Sequence, residues 1–304
     1  MKLKTKDLLT LNELGKNELV GIIDNAIKMK KDLKRNISKP FLKNKTLAMI
    51  FQKPSTRTRV SFETGMFQLG GHALHLSADD LQLKRGETIE DTAKTLSRYV
   101  DLIMARVYSH DEVDLLAKNS SIPVINGLSD SFHPCQILAD LMTIKEKKKK
   151  LAGLKLAWIG DGNNVCNSMI YGCAKVGIDI SIATPKGYEP NQNIVKESSK
   201  LIDIKLSNHP EIAVNGADVV VTDTFVSIHN QTTDRINDFL PHFQVNSYLM
   251  KKANPSAIFM HCLPAKRGQE VTSEVLDGSQ SVIWDEAENR LHAQKALMVA
   301  LLRV

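Results

Sequence analysis

Five consecutive residues, Ser55-Thr56-Arg57-Thr58-Arg59, carry three hydroxyls and two guanidiniums. Thr46-Leu-Ala-Met-Ile-Phe51 before them is a short apolar run that predicts a buried strand. Phe62, Met66 and Leu69 after them fall at i, i+4 and i+7, one face of a helix. The stretch therefore reads as strand, turn and helix N-terminus. Free N–H groups and the positive dipole end favour an anion there. Hydroxyl donors and a guanidinium fork suit phosphate oxygens. Residues two apart on a helix diverge by about 200°. Arg57 is therefore assigned to the anion, and Arg59 to an ion pair that secures the helix. The plain alternative is an N-cap followed by exposed arginines.

Further candidates lie downstream. His133 and Gln136 stand at i, i+3 on one helix face, where both can donate to a carbonyl oxygen. His-Pro is equally a plain helix start, with Pro134 at the first position. Gly160-Asp-Gly-Asn-Asn164 follows a strand and resembles a dinucleotide fingerprint, but Val165 occupies the place of the third glycine. Its asparagines are polar ligands for a small molecule, or turn residues. Cys262 at a strand end is a thiolate nucleophile or a small buried hydrophobe. His261, adjacent on the strand, should face the other way. Asp223 is an ammonium ligand or ordinary turn chemistry. Arg290, among acids in Asp285-Glu-Ala-Glu-Asn-Arg290, is an anion ligand or part of an ion pair.

The elements that must position these residues alternate. A helix is expected over 17–35, capped by Asn17, with Leu19, Ile22, Ile23, Ala26 and Ile27 inward. Strands are expected at 46–51, 72–76, 101–106 and 122–126, with helices over 88–99 and from 134. Ser77 to Thr92 is a long polar connection holding Asp79, Asp80, Gln82, Lys84, Arg85 and Glu87, and long loops are often functional. The second half shows strands at 155–160, 178–183, 216–222 and 257–261, a short one at 281–284, and a last helix carrying Ala293, Leu297, Ala300, Leu301 and Val304 on one face. Strands alternating with helices in both halves predict an α/β protein of two domains, each a parallel sheet flanked by helices. The boundaries are 1–146 and 147–286, with 287–304 returning to the first domain. The candidates cluster after strand C-terminal ends, where open α/β sheets bind ligands.

Composition narrows the class. The chain has 304 residues, 42% hydrophobic and 24% charged, an ordinary globular balance. Net charge is +6, but aromatics total only 5%, too few for base-stacking platforms in basic surroundings. No nucleic-acid partner is expected. Lys147–Lys150 reads as a solvated helix end. No apolar run spans a membrane, and the first residues resemble neither a signal nor a transit peptide. Cys135, Cys166, Cys173 and Cys262 form no C-x-x-C pair, so neither a disulfide framework nor a zinc site is expected, and the reducing cytoplasm fits.

Taken together, Ser-Thr-Arg-Thr-Arg at 55–59, His-Pro-Cys-Gln at 133–136, Gly-Asp-Gly-Asn-Asn at 160–164, Pro-Lys-Gly-Tyr-Glu-Pro at 185–190 and His-Cys-Leu-Pro at 261–264 resemble the aspartate/ornithine carbamoyltransferase family. The last three resemble its ornithine branch, and the likeness covers nearly the whole chain. It implies carbamoyl transfer from carbamoyl phosphate to the δ-amine of ornithine, giving citrulline and phosphate without metal or redox cofactor. By this resemblance Ser55, Thr56, Arg57 and Thr58 bind phosphate. Arg106, His133 and Gln136 hold the carbamoyl group, with Arg106 also serving the phosphate. Cys262, Leu263 and Arg290 complete the pocket, and Gln82 is lent to a neighbouring subunit in a trimer or multiple of trimers. Asn164, Asp223 and Ser227, with Ile228, receive ornithine. Arg57, Thr58, Arg106, His133 and Cys262 form the catalytic set. One segment departs from the family: Asp223-Thr-Phe-Val-Ser-Ile-His229 stands where ornithine enzymes carry Asp-x-Trp-x-Ser-Met-Gly. That leaves a related amine, putrescine or an acylated ornithine, as the near alternative. A dehydrogenase and a binding protein are the alternatives from other classes.

Overall fold

The computed structural model describes residues 3–79, 81, 82, 86–226 and 233–303. Ser227, Ile228 and His229 of the expected amine loop lie outside the described residues, as do Asp80, Lys84, Arg85 and Val304. Two compact units are present, Met1–Met142 with Glu288–Val304, and Thr143–Ala287.

The first unit alternates α1 (Lys16–Lys34), β1 (Thr46–Phe51), α2 (Thr56–Gln68), β2 (His72–Ser77), α3 (Ile89–Tyr99), β3 (Leu102–Arg106), α4 (His110–Asn119), β4 (Val124–Leu128) and α5 (Pro134–Lys148). Its four strands are parallel, in the order β2-β1-β3-β4. Strands β3 and β4 are buried throughout and β1 from Leu47 on, as crossover helices on both faces require. Gly15, not Asn17, caps α1; the Glu18 carboxylate accepts the N–H groups of Gly15 at 2.8 Å and Lys4 at 2.6 Å. A carboxylate reaching back from the first turn outcompetes the amide of Asn17, which lies inside the helix. Helix α5 is buried on all sides from Pro134 to Ile144, more than the single inward face expected.

The second unit holds β5 (Lys155–Ile159), α6 (Asn164–Val176), β6 (Asp179–Ala183), α7 (Gln192–Ser198), β7 (Ile204–Ser207), α8 (Pro210–Val214), β8 (Val219–Thr222), the short α9 (Ile236–Phe239) and α10 (Ser247–Met250), β9 (Ile258–His261) and α11 (Ser273–Leu276). Its parallel sheet runs β7-β6-β5-β8-β9. Strand β7 escaped the sequence reading because this edge strand is short, with Lys205 and Leu206 exposed. Conversely, Ser281–Trp284 is not a strand. Ser281 makes one bridge to Phe259, and α12 (Ile283–Leu302) begins two residues on. Asp285 and Glu286 in its first turn suit a helix N-terminus.

From Glu288 onward α12 belongs to the first unit. There Lys30 of α1 donates to Asn289 at 2.7 Å, and Lys295 donates to Gln68 of α2 at 2.8 Å. Ala293, Leu297, Ala300 and Leu301 are buried, as their spacing predicts. Two parallel sheets flanked by helices, with the last helix returned to the first, are therefore what the chain forms.

Candidate active site

In the sheet of the first unit, the order in which successive strands are added reverses between β1 and β3, the position at which open α/β sheets form a crevice. Parallel pairing sets Phe51 opposite Arg106. The residues after β1 and the end of β3 therefore lie side by side. Ser55 caps α2: its backbone is extended and its Oγ accepts the Thr58 N–H at 3.3 Å. No acid occupies the first turn, so the positive helix end is left uncompensated by its own sequence. Arg59 donates Nε to Glu63 at 2.9 Å, the ion pair expected of it. Arg106, buried at the end of β3, follows a slip in the β3–β4 register at Ala105. Such an irregularity re-aims the side chain at a strand end.

Arg290 joins the remaining parts of this unit. Its Nη1 donates to Gln136 Oε1 at 2.6 Å and its Nη2 approaches Thr58 Oγ1 at 3.4 Å. Gln136 in turn donates Nε2 to Asp140 at 2.8 Å, which fixes its amide orientation. His133 is buried one turn earlier, beside Pro134 at the helix start. Thr58, Gln136 and Arg290 thus form one hydrogen-bonded group drawn from α2, α5 and α12. Gln82 is exposed; its backbone carbonyl accepts the Glu87 N–H at 3.2 Å. Among the described residues no hydrogen bond ties its side chain to that group.

Lys53 is a residue the motif reading passed over. It is 3% exposed, and its Nζ lies 3.9 Å above the centre of the Tyr108 ring. Burial, and then the charge of Arg106, push its pKa down to about 8, against an opposing pull from Asp130. With Ser55, Thr56, Arg59, His75 and Asp79 it lines an open cavity of about 650 Å3. The available signal was a lysine two positions before the Ser55 hydroxyl.

In the second unit the switch falls between β5 and β8. The turn after β5 and Asp223 after β8 are neighbours for that reason. Asn163 caps α6, its Oδ1 accepting the N–H groups of Val165 and Cys166, while its Nδ2 donates to Asp223 Oδ2 at 2.8 Å. Cys262, just beyond β9, donates Sγ–H to Asp223 Oδ1 at 3.2 Å. Both oxygens of a buried carboxylate are thus held by neutral donors, an arrangement suited to a cation or amine. Asn164 is buried in the first turn of α6 beside this group.

His261 is turned to other work. Its Nδ1 accepts the Leu263 N–H at 2.9 Å, and its Nε2 faces Glu270 at 3.1 Å. Leu263 has φ +60°, a left-handed conformation unusual for a branched residue, and the imidazole secures it. The donor atoms of Asp223, His261 and Cys262 lie within 4.8 Å of one another. The Leu263 contact occupies the Nδ1 lone pair, and Nε2 carries the proton facing Glu270, so the imidazole has none to offer a cation.

The glycines at 160 and 162 serve packing. A Cβ on Gly162 would stand 2.3 Å from Pro190 N, so the turn closes against 188–190 only with glycine. Asp161 between them takes the buried Arg235 guanidinium at 2.8 Å, and Arg235 stacks over Tyr188. Burial raises the Asp161 pKa, Arg235 lowers it and Asp223 adds a further rise. Phe225, at the family's tryptophan position, is fully buried and stacks on Phe239 with centroids 4.4 Å apart. Asn163 as a brace for Asp223, and the Asp161–Arg235 pair, were not legible as such in the motif.

Residues 6–146 match the aspartate/ornithine carbamoyltransferase carbamoyl-P binding domain, and residues 152–301 match the Asp/Orn binding domain of the same family. The chain is 62% identical over 301 residues to an ornithine carbamoyltransferase of Cenarchaeum symbiosum, covering 99% of each. It is 55% identical over 304 residues to one of Carboxydothermus hydrogenoformans, covering 98% of this chain and 97% of that protein. The solved ornithine carbamoyltransferase of Pyrococcus furiosus superposes with a TM-score of 0.93 at 52% identity, over 96% of this chain and 95% of that one. Matches of this length and identity, over both units, leave one assignment: the chain belongs to the aspartate/ornithine carbamoyltransferase family.

Proposed function

We propose that this protein transfers the carbamoyl group of carbamoyl phosphate to the δ-amine of L-ornithine, giving L-citrulline and phosphate. One observation carries the reading. Each sheet places a polar cluster at its switch point, one made of hydroxyls and cations and the other centred on a buried carboxylate. The first suits an anionic, carbonyl-bearing donor and the second a basic amine.

The chemistry follows from those residues. Ser55, Thr56, Arg57 and Thr58 receive the phosphate at the α2 N-terminus. Arg106, His133 and Gln136 take the carbamoyl group, with Gln136 oriented by Arg290 and Asp140. An alkylammonium has a pKa of about 10.4 by analogy with lysine, so the δ-amine must lose a proton before it attacks. Asp223 and Cys262, with Asn164, orient that amine. Its nitrogen forms the new N–C bond, and Thr58, Arg106 and His133 stabilise the oxyanion that results. The C–O bond to phosphate then breaks, and the second amine proton can leave on the departing phosphate. Much of the rate comes from aligning two bound reactants. The donor is already activated, so the steps run through these side chains alone.

The test is a panel of amines with carbamoyl phosphate, read as ureido product. L-Ornithine is expected to exceed putrescine, N-acetylornithine and L-aspartate in kcat/KM by about a hundredfold or more, since the site must reject analogues that leave its polar groups unpaired. Preference for another amine would redirect the assignment to that substrate.

We further propose that the working form is a homotrimer or a multiple of it, in which Gln82 serves a neighbouring copy. Its exposure, apart from the Thr58–Gln136–Arg290 group, supports that reading. Sedimentation is expected to give a mass of three chains or a multiple. A fully active monomer would exclude the shared site.

A further inference from the structure

We propose that His110, at the start of α4, is a positioning residue for His133: by accepting the Ser129 hydroxyl proton it fixes the turn that delivers the His133 imidazole to the carbamoyl group. The proposal rests on the carbamoyl-transfer reading, in which His133 meets the donor.

His133 stands next to Pro134, which opens α5 and has no N–H of its own. Ser129 to Phe132 connect β4 to this point. They form a closed turn: the Ser129 N–H donates to the Phe132 carbonyl at 2.9 Å, and the Phe132 N–H donates to Ser129 Oγ at 3.3 Å. From β4, Asn126 Nδ2 donates to the same Oγ at 3.3 Å. Ser129 and Asn126 are fully buried. His110 reaches this hydroxyl from α4, with Nδ1 2.9 Å from Oγ. Its ring also meets the Phe132 ring edge-on, with centroids 4.9 Å apart. Backbone contacts run alongside. Asp130 Oδ1 accepts the His110 N–H at 3.0 Å, and the Asp130 N–H donates to the Tyr108 carbonyl at 3.2 Å. Neither of these depends on the side chain at position 110. The imidazole adds the tie to the hydroxyl.

The direction of that tie follows from donors and acceptors. A serine hydroxyl has one proton and two lone pairs. Asn126 and Phe132 bring N–H groups to the lone pairs. The proton has two acceptors in reach, the Phe132 carbonyl at 3.4 Å and His110 Nδ1 at 2.9 Å, and the shorter contact takes it. His110 therefore accepts at Nδ1 and carries its proton on Nε2, which faces Asp114 at 3.8 Å. Burial holds the His110 pKa below its ordinary value, against the pull of Asp114, Asp130 and Asp111, so the ring is neutral at neutral pH and Nδ1 remains an acceptor. Without it the hydroxyl turns to the Phe132 carbonyl, which the Ser129 N–H already holds, and the turn loses its side-chain attachment to α4. His133 stabilises an oxyanion only in a narrow range of distance. A small displacement of the turn therefore falls on the chemical step and not on amine binding.

Two variants and one spectrum test the tie. His110→Phe keeps the ring against Phe132 but offers the hydroxyl no acceptor. It should lower kcat for citrulline formation by about tenfold or more, with KM for ornithine within about twofold of the wild-type value. His110→Asn places a carbonyl oxygen near the position of Nδ1 and should restore kcat to within about threefold, although it packs less well on Phe132. Long-range proton–nitrogen spectra of histidine-labelled protein read the tautomer directly. The His110 signal, identified by its loss in His110→Asn, should show a bare Nδ1 and a protonated Nε2. The His133 signal should move in His110→Phe and stay in His110→Asn. Unchanged kcat in His110→Phe would overturn the proposal, as would a proton on Nδ1 of His110 or a loss in His110→Asn as large as in His110→Phe. Unfolding of each variant is followed in parallel, and the wild-type tautomer decides the matter if His110→Phe folds poorly. If the wild-type protein makes citrulline and His110→Phe keeps its kcat, only this inference fails. If the wild-type protein makes no citrulline, the functional reading fails, and the inference that rests on it falls too.

Discussion

Replacing Arg57 by glutamine should lower kcat/KM for citrulline formation by about a thousandfold while leaving the fold intact. Arg57 stands in the first turn of α2, where Ser55 caps the helix and no acid is present. A cation at that end opposes the helix dipole. Arginine and glutamine have similar helix propensities. Its removal should therefore cost the helix little, and stability should change by no more than about 0.5 kcal/mol, as for an ordinary surface substitution. Function stands differently. A guanidinium that meets the leaving phosphate offsets charge that grows as the C–O bond breaks. Loss of one such preorganised donor costs on the order of a hundred- to a thousandfold. Steady-state rates at saturating ornithine, with circular dichroism on the same sample, make the measurement. Near-normal turnover would remove Arg57 from the site and return the stretch to a capped helix with exposed arginines.

The second large effect belongs to Asp223. Asp223→Asn should reduce kcat/KM for ornithine by about a thousandfold, in the range lost with a positioned acid–base group. Inorganic phosphate binding should stay within about twofold of the wild-type value. The carboxylate accepts from Asn163 on one oxygen and Cys262 on the other. An amide of the same shape keeps one of these contacts. At the other position it turns an N–H₂ toward a group that was donating, and that donor loses its acceptor. The negative charge proposed to receive the amine disappears as well. A loss confined to the amine side would place Asp223 as assigned. An equal loss in phosphate binding would mean that the substitution damages more than the amine site.

Both predictions depend on neighbours that local patterning describes unequally. The strand before Ser55 was legible as a short continuous apolar run, and the helix after it because apolar residues recur with the helix period. So were the buried stripe of α1 and the inward face of α12. The short edge strand β7 was not, because half-exposed Ile204–Ser207 lacks a sustained apolar run. Ser281–Trp284 misled in the opposite sense: its apolar run of Val282, Ile283 and Trp284 looks like a strand, but the acids after it start a helix. The α1 cap was misplaced because a carboxylate from Glu18 reached the backbone first.

What the sequence determined by itself was the set of elements, their alternation, and the residue types gathered after strand ends. These are properties of periods and turns, which act over a few residues. The family could be read from the motifs together, because each contributes a different chemical piece. The tertiary structure decided which pieces touch. Strand order set Arg106 beside the β1 turn and Asp223 beside the β5 turn. The return of α12 brought Arg290 to Thr58 and Gln136, 232 and 154 positions away along the chain. Burial set Lys53, one lysine among many in the sequence, against the Tyr108 ring beside the β1 turn. No local pattern encodes such meetings, since strand order, helix return and desolvation are properties of the folded chain as a whole.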